Sequence, residues 1–197
     1  MTRVAFGSKR LSRTLGVFVG VLVCGVQNLG YGQPEGLQAG ALKAQMKVLE
    51  AVINETLGQT FAPPFGVLEK AKGSYLPDFG VVFSVEVNLY PMRVPNPFDM
   101  RPSSKEELEK ARKAKLERIG IIKQAVPRLL ADHASTLREL SANDSIAVVV
   151  HLFDTPTEGE NLPSQIVIEV KKRDLEQYWD KNLSFEGFRG KVSTLEL

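Results

Sequence analysis

Few residues in this chain have the types and spacing that chemistry at a protein site requires. The sequence contains two histidines, His133 and His151, and one cysteine, Cys24. A zinc site usually takes three or four ligands from His, Cys and carboxylates, and the sequence has no HExxH pair, CxxC pair or calcium-loop spacing. Both histidines lie among apolar residues, His133 in a helical pattern and His151 in a strand pattern, so we interpret them as core residues. The sequence thus predicts no metal site and no cofactor.

The sequence also lacks the usual motifs of nucleophilic catalysis and of nucleotide binding. The nucleophile-elbow pattern G-x-S-x-G is absent, and so are the phosphate-binding pattern G-x-x-x-x-G-K-[ST] and a G-x-G-x-x-G that follows a strand. Ser135 is close to His133 in sequence, but side chains two positions apart on a helix point in different directions. These absences favour a non-catalytic protein over an enzyme.

One pair of carboxylates remains a candidate for catalysis. Glu86 and Glu169 fall on the polar faces of two predicted strands and could share one surface of a sheet. Paired carboxylates divide acid and base roles in glycosidases, where the carboxyl groups lie within about 10 Å of each other. Outward glutamates also occur on half-buried strands without any function. The pair therefore indicates either a carboxylate-dependent hydrolase or small-ligand-binding protein, or an ordinary solvated strand surface.

Glu86 belongs to the stretch with the clearest periodicity in the chain, Asp78–Tyr90. Ser84, Glu86 and Asn88 fall on one face of an extended strand, and the opposite face is apolar: Val81, Phe83, Val85, Val87 and Leu89. A strand of this kind must bury its apolar face. We therefore predict helices packed over one side of a sheet that contains it.

The other predicted strands give two hairpins. Residues 66–72 pair with 79–90, and residues 145–153 pair with 165–171. The segment 145–153 is apolar on both faces, which is typical of a strand that is buried on two sides or central in its sheet. Each hairpin then presents one apolar side to the helices.

Apolar residues at helical spacing predict a helix over 38–57 and a long helical segment over 104–141. Ser104 begins that segment with a capping-box pattern, and Pro127 predicts a kink or restart within it. A short helix over Leu175–Asp180 follows the last hairpin, and then a second short helix and a docked or extended tail. These elements predict an α/β (α+β) fold, in which a four-stranded, mainly antiparallel sheet has helices packed on one face. A single domain spans residues 38–197.

The first 32 residues have the three-part layout of a secretory signal peptide. Four basic residues precede the apolar run Leu15–Val26, and a small-residue stretch ends at Gly32. The run is shorter than the roughly 20 residues that a membrane span needs. We therefore predict cleavage after Gly32, export to the periplasm or the medium, and a mobile spacer over residues 33–37. An uncleaved segment would instead act as an N-terminal membrane anchor.

The charge of the whole chain is misleading because the N-terminal segment is basic. Residues 1–32 hold four of the 25 Lys and Arg residues and none of the 23 Asp and Glu residues, so acidic residues outnumber basic ones in the remainder. Nucleic-acid binding requires a basic patch or stripe, and the balance gives no sign of one. We therefore predict no nucleic-acid partner.

A proline-rich segment follows the strand over 79–90. Prolines at this density favour an extended path along the surface, and they exclude both a helix and an internal strand. Met92, Phe98 and Met100 are apolar residues on this segment. They are candidates for contacting a partner, such as an envelope protein or a second copy of the chain, or else they fold back over the sheet edge.

Two short motifs carry a resemblance. The run Tyr75–Phe83 and the later Asp174–Tyr178 resemble uncharacterised exported bacterial proteins that have a Y-L-P-x-[YF]-G-x-x-F segment before a strand. The resemblance implies no activity. Together with the missing catalytic motifs, it leaves an exported, non-catalytic envelope protein that binds a macromolecule or itself as the leading hypothesis.

Overall fold

The structure is a computed structural model that describes residues 38–61, 65–89, 104–153 and 162–197. It contains, in chain order, α1 (Ala39–Thr60), β1 (Gly66–Leu76), β2 (Gly80–Asn88), α2 (Lys105–His133), a 3-10 turn (Ala134–Thr136), β3 (Ser145–Leu152), β4 (Gln165–Lys171), α3 (Lys172–Trp179), α4 (Phe185–Arg189) and β5 (Ser193–Glu196).

The five strands form one sheet in the order β1-β2-β3-β4-β5. Neighbouring strands run antiparallel except β2 and β3, which are parallel. After β2 the chain returns through α2 to the end of the sheet where β2 began, and a crossover of this kind makes the next strand parallel. The α/β class is confirmed. The predicted number of four strands is wrong, because the tail adds β5. Both predicted hairpins are present, and they meet through a parallel pair, which makes the sheet mixed.

The apolar core lies between one face of this sheet and the helices. Along β2 and β3 alternate residues are almost fully buried, and the apolar stripes of α1 and α2 pack against them. The same cluster includes Leu175 of α3 and Phe188 of α4. The residues at its centre include Leu49, Leu57, Phe83, Val85, Ile122, Leu130, Val148 and Ile168.

The helix α2 begins as predicted and ends differently. The Ser104 hydroxyl accepts from the Glu107 backbone N–H at 3.2 Å, and the Glu107 carboxylate accepts from the Ser104 N–H at 2.8 Å, which completes a capping box. Of the two alternatives predicted at Pro127, a kink or a restart, the restart is wrong, because the helix runs through Pro127. Proline removes one backbone donor, so the Lys123 carbonyl lacks its usual partner. Burial of Val126 and Leu130 beside Pro127 holds the helix together there.

The outer edge of β1 is covered by side chains of α1. Two register shifts interrupt the pairing of β1 with β2, which is the pattern of β-bulges. Asn54 Oδ1 accepts from the Ala71 backbone N–H at 2.8 Å, and Glu50 Oε1 accepts from the Gly73 N–H at 2.8 Å. Backbone donors of the irregular strand are therefore satisfied by the helix above it.

Two long cationic side chains of α2 donate hydrogen bonds to backbone carbonyls at the end of the sheet. The buried Lys115 ammonium donates to the Phe153 carbonyl at 3.2 Å, and Arg118 donates to the Leu89 carbonyl at 3.3 Å. These carbonyls lie just beyond the carboxyl ends of the parallel pair β2 and β3. The α2 crossover is thus fixed at the end of the sheet where it begins.

Candidate functional site

The sheet face opposite the helices is the main candidate surface. We call it the open face. It consists of the residues that alternate with the core positions, and those of β2 to β5 include Val82, Ser84, Glu86, Val149, His151, Val167, Glu169 and Leu195. In the described part of the chain no helix covers these residues.

Apolar residues continue across the centre of the open face. Val149 lies opposite Val167, and Val167 lies opposite Leu195, so the three occupy one row across β3, β4 and β5. Leu195 is 53% exposed, and Leu197, which is two residues further along the chain and opposite Gln165, is 60% exposed. We call Val149, Val167, Leu195 and Leu197 the apolar row. A solvated sheet face normally carries polar residues, so apolar residues at these positions make this part of the open face a candidate contact surface.

A polar hollow adjoins the apolar row on β1, β2 and β3. His151 Nε2 lies 3.0 Å from Ser84 Oγ, and Glu86 lies directly opposite His151 in the parallel ladder. The hollow has a volume of about 280 Å³, and its charged lining comes from Glu69, Lys70, Lys72 and Glu86. Charges of both signs line it, so it has no bias toward an anion or a cation.

The expectation that both histidines are core residues is wrong. His133 is exposed at the end of α2, and His151 is half-buried on the open face. The strand pattern around His151 was apolar on both faces, but among the described residues helices cover only one face of β3. That same two-faced pattern was the sequence signal for the apolar row.

No family model, no curated protein and no solved structure matches this chain. The assignment of a site therefore depends on the geometry alone.

The Ser84 and His151 side chains have the spacing of a nucleophile and its base, but their setting does not suit acyl transfer. Such a reaction needs backbone N–H or side-chain donors aimed at an oxyanion beside the nucleophile. Ser84 lies within a strand that pairs with β1 on one side and β3 on the other. The backbone N–H groups near it are therefore committed to the two ladders, and the pair is better suited to holding a polar group than to catalysis.

The structure places Glu86 and Glu169 on the same face but does not bring them together. Glu86 lies opposite His151, and Glu169 lies opposite Ala147, on the other side of β3. With about 4.8 Å between strands and about 3.3 Å per residue, their Cα atoms are about 16 Å apart. The Glu169 carboxylate also accepts from the buried Ser145 hydroxyl at 2.6 Å, which directs it away from Glu86.

Several predicted features lie outside the described residues. They are the partner-contact candidates Met92, Phe98 and Met100, the signal segment over residues 1–32, and the spacer over 33–37. Among the described residues, no group of three or more His, Cys, Asp or Glu side chains could hold a metal ion. No helix in those same ranges is both long enough and apolar enough to cross a bilayer.

Proposed function

We propose that the protein is an exported, non-catalytic binding domain of the bacterial envelope whose open face contacts a partner protein. The observation that carries this proposal is the apolar row on a sheet face that no described helix covers. Exposed apolar rows of this kind lose contact with water when a partner docks, which favours binding by about 25 cal/mol per Å² of apolar area.

The surroundings of the apolar row fit a protein partner. Glu86 and His151 lie at one side of the row, and Glu169 and Lys171 lie at the other. An apolar centre with a mixed polar rim is the usual anatomy of a protein interface. A nucleic acid or an anionic lipid surface would instead require a rim of one sign.

Export rests on the sequence of residues 1–32, which combine a basic start, a short apolar run and small residues at the end. A chain without cysteine beyond Cys24 also suits an oxidising compartment, since it cannot form wrong disulfides there. The proposed partner is accordingly a protein of the same compartment.

Photo-cross-linking in living cells tests the binding surface. A benzoylphenylalanine in place of Val149 should give an adduct of one discrete mass with a different protein, because Val149 lies in the apolar row. The same group in place of Lys113, which is exposed on α2, serves as the control. Adding Val167→Glu should abolish the Val149 adduct, because a charge then lies at the centre of the interface.

Two results would contradict the proposal. One is the absence of any adduct from Val149, and the other is the same set of adducts from Val149 and Lys113. Equal yields with and without Val167→Glu would also show that the open face is not the contact surface.

The geometry does not favour the alternative of a carboxylate-dependent hydrolase, because the Cα atoms of Glu86 and Glu169 are about 16 Å apart. The hollow beside Ser84 and His151 is a small polar recess of about 280 Å³, which is near the lower limit for small-molecule sites. We therefore regard it as the polar flank of the protein-binding surface.

A further inference from the structure

The two edges of the sheet differ in how they are protected. At the β1 edge, bulges interrupt the strand, Lys70 and Lys72 are exposed, and α1 side chains accept from the free backbone donors. These are devices that prevent a second strand from pairing with an edge. The β5 edge has neither a bulge nor a lysine or proline in Ser193–Glu196.

The hydrogen-bonding pattern shows which groups β5 presents outward. The Leu197 N–H donates to the Gln165 carbonyl at 3.0 Å, and the Gln165 N–H donates to the Leu197 carbonyl at 3.1 Å. Bonded and unbonded residues alternate along an antiparallel strand, so Leu195 also faces β4 and the backbone groups of Thr194 and Glu196 point away from it. In the described part of the chain, β5 pairs with no strand other than β4.

We infer that β5 pairs antiparallel with β5 of a second copy of this chain, which joins two five-stranded sheets into one. A two-fold axis at Leu195 places Thr194 opposite Glu196 of the other copy, so both outward-facing residues of each strand exchange backbone hydrogen bonds. The same axis places the two Leu195 side chains next to each other on the open face. The apolar rows of the two copies then become continuous.

Charge complementarity supports this occupant. A hollow of about 360 Å³ lies between α2, α4 and β5, and its lining includes Lys123, Arg189 and Thr194. In the pair, Glu196 of the second copy lies beside Thr194 on the helix side of the sheet. Its carboxylate therefore lies next to the hollow that Lys123 and Arg189 line, where Arg189 also lies 3.6 Å from Glu186 of its own copy, and the symmetry repeats the arrangement. Within one copy, Lys123 Nζ lies 2.5 Å from Glu196 Oε1. In the dimer, the Glu196 carboxylates and the Lys123 ammonium groups of the two copies therefore alternate across the two-fold axis.

Disulfide cross-linking tests the pairing and its register. In the full chain with Cys24→Ser, Leu195→Cys should give a covalent dimer on mild oxidation, because paired Cα atoms at this type of position are about 4.5 Å apart. Ser193→Cys is the matched control on the same face of the same strand. It should stay monomeric on a non-reducing gel, because the axis puts the two Cα atoms about 14 Å apart. No dimer from Leu195→Cys, or equal dimer from both variants, overturns the inference.

A charge-reversal series tests the ionic contact in solution without cysteine chemistry. By sedimentation equilibrium, Glu196→Lys should weaken dimerisation about 10-fold or more, and Lys123→Glu combined with Glu196→Lys should restore it. Circular dichroism of each variant separates loss of pairing from loss of folding. A double variant that dimerises no better than Glu196→Lys contradicts the charge pairing. Both the cross-linking and the charge-reversal tests concern only the β5 edge. Their results therefore do not depend on whether the open face binds a partner protein.

Discussion

Val148 and Val149 are neighbours on β3 and have the same side chain, but they lie on opposite faces of the sheet. Val148 is completely buried under the helices, whereas Val149 is half-buried on the open face. The difference comes from the layer above each face and not from the residues themselves. The helix-covered face holds the fold together, so the apolar residues of the open face are free to serve a contact.

The largest effect is expected for the covered face of β2. Phe83→Ala removes a completely buried ring from the centre of the core and should lower the free energy of unfolding by about 3–5 kcal/mol. Ser84→Ala, one residue along on the open face, should change it by about 0.5 kcal/mol or less. Urea denaturation of both variants measures the contrast. Similar losses in the two variants would show that the open face is also covered.

The valine pair on β3 sharpens the comparison because the substitutions are identical. Val148→Thr places a hydroxyl without a partner in the core and should cost about 1–3 kcal/mol. Val149→Thr places the same hydroxyl at the solvated face and should cost less than about 0.5 kcal/mol. Thermal unfolding followed by circular dichroism gives both values. A cost for Val149→Thr that equals that of Val148→Thr contradicts the assignment of the two faces.

The smallest effect is expected at the margin of the covered face, where Tyr75 lies opposite Val81. Burial raises the pKa of Tyr75 above 10.0, the ordinary value of a tyrosine, and the charges of Asp144 and Asp78 raise it further. The folded state then holds the phenol proton more tightly than the unfolded state. The resulting stability is present below pH 10 and is lost as the pH rises through the folded-state pKa.

The free energy of unfolding as a function of pH, measured for the wild type and Tyr75→Phe, checks this expectation. The difference in the free energy of unfolding between the two proteins should be constant up to about pH 10. Above that pH the wild type should lose stability relative to Tyr75→Phe. A difference that is flat through pH 11 would mean that the pKa of Tyr75 is not raised in the folded protein.

Much of the covered face could be predicted from the sequence. Alternation over residues 79–90 and the stripe that contains Leu49 and Leu57 identify a strand and a helix whose apolar sides must meet. The parallel joint between β2 and β3 could not be predicted, because it depends on where α2 returns the chain. The strand β5 was missed because Ser193–Glu196 is short and all four of its residues are exposed, so it carries no alternation of burial.

The open face was harder to predict for a physical reason. Residues on a solvated surface are not constrained by packing, so their pattern does not reveal their neighbours. The proximity of Ser84 and His151 depends on the register of a parallel pair. The apolar character of Val149 and Val167 was visible in the sequence, but the same pattern also fits a strand that is buried on both sides.

The parallel joint at the centre of the sheet also has a consequence for how the chain folds. Each hairpin connects strands that are close in sequence, whereas Val81 of β2 lies opposite Ile146 of β3 on the far side of the α2 crossover. Closing so long a loop costs more chain entropy than closing either hairpin, and non-local pairing is slow. The contacts within each hairpin are therefore expected to form before the contacts between β2 and β3. Because the complete sheet requires the two hairpins to meet across α2, we expect their docking to be slower than the formation of either hairpin.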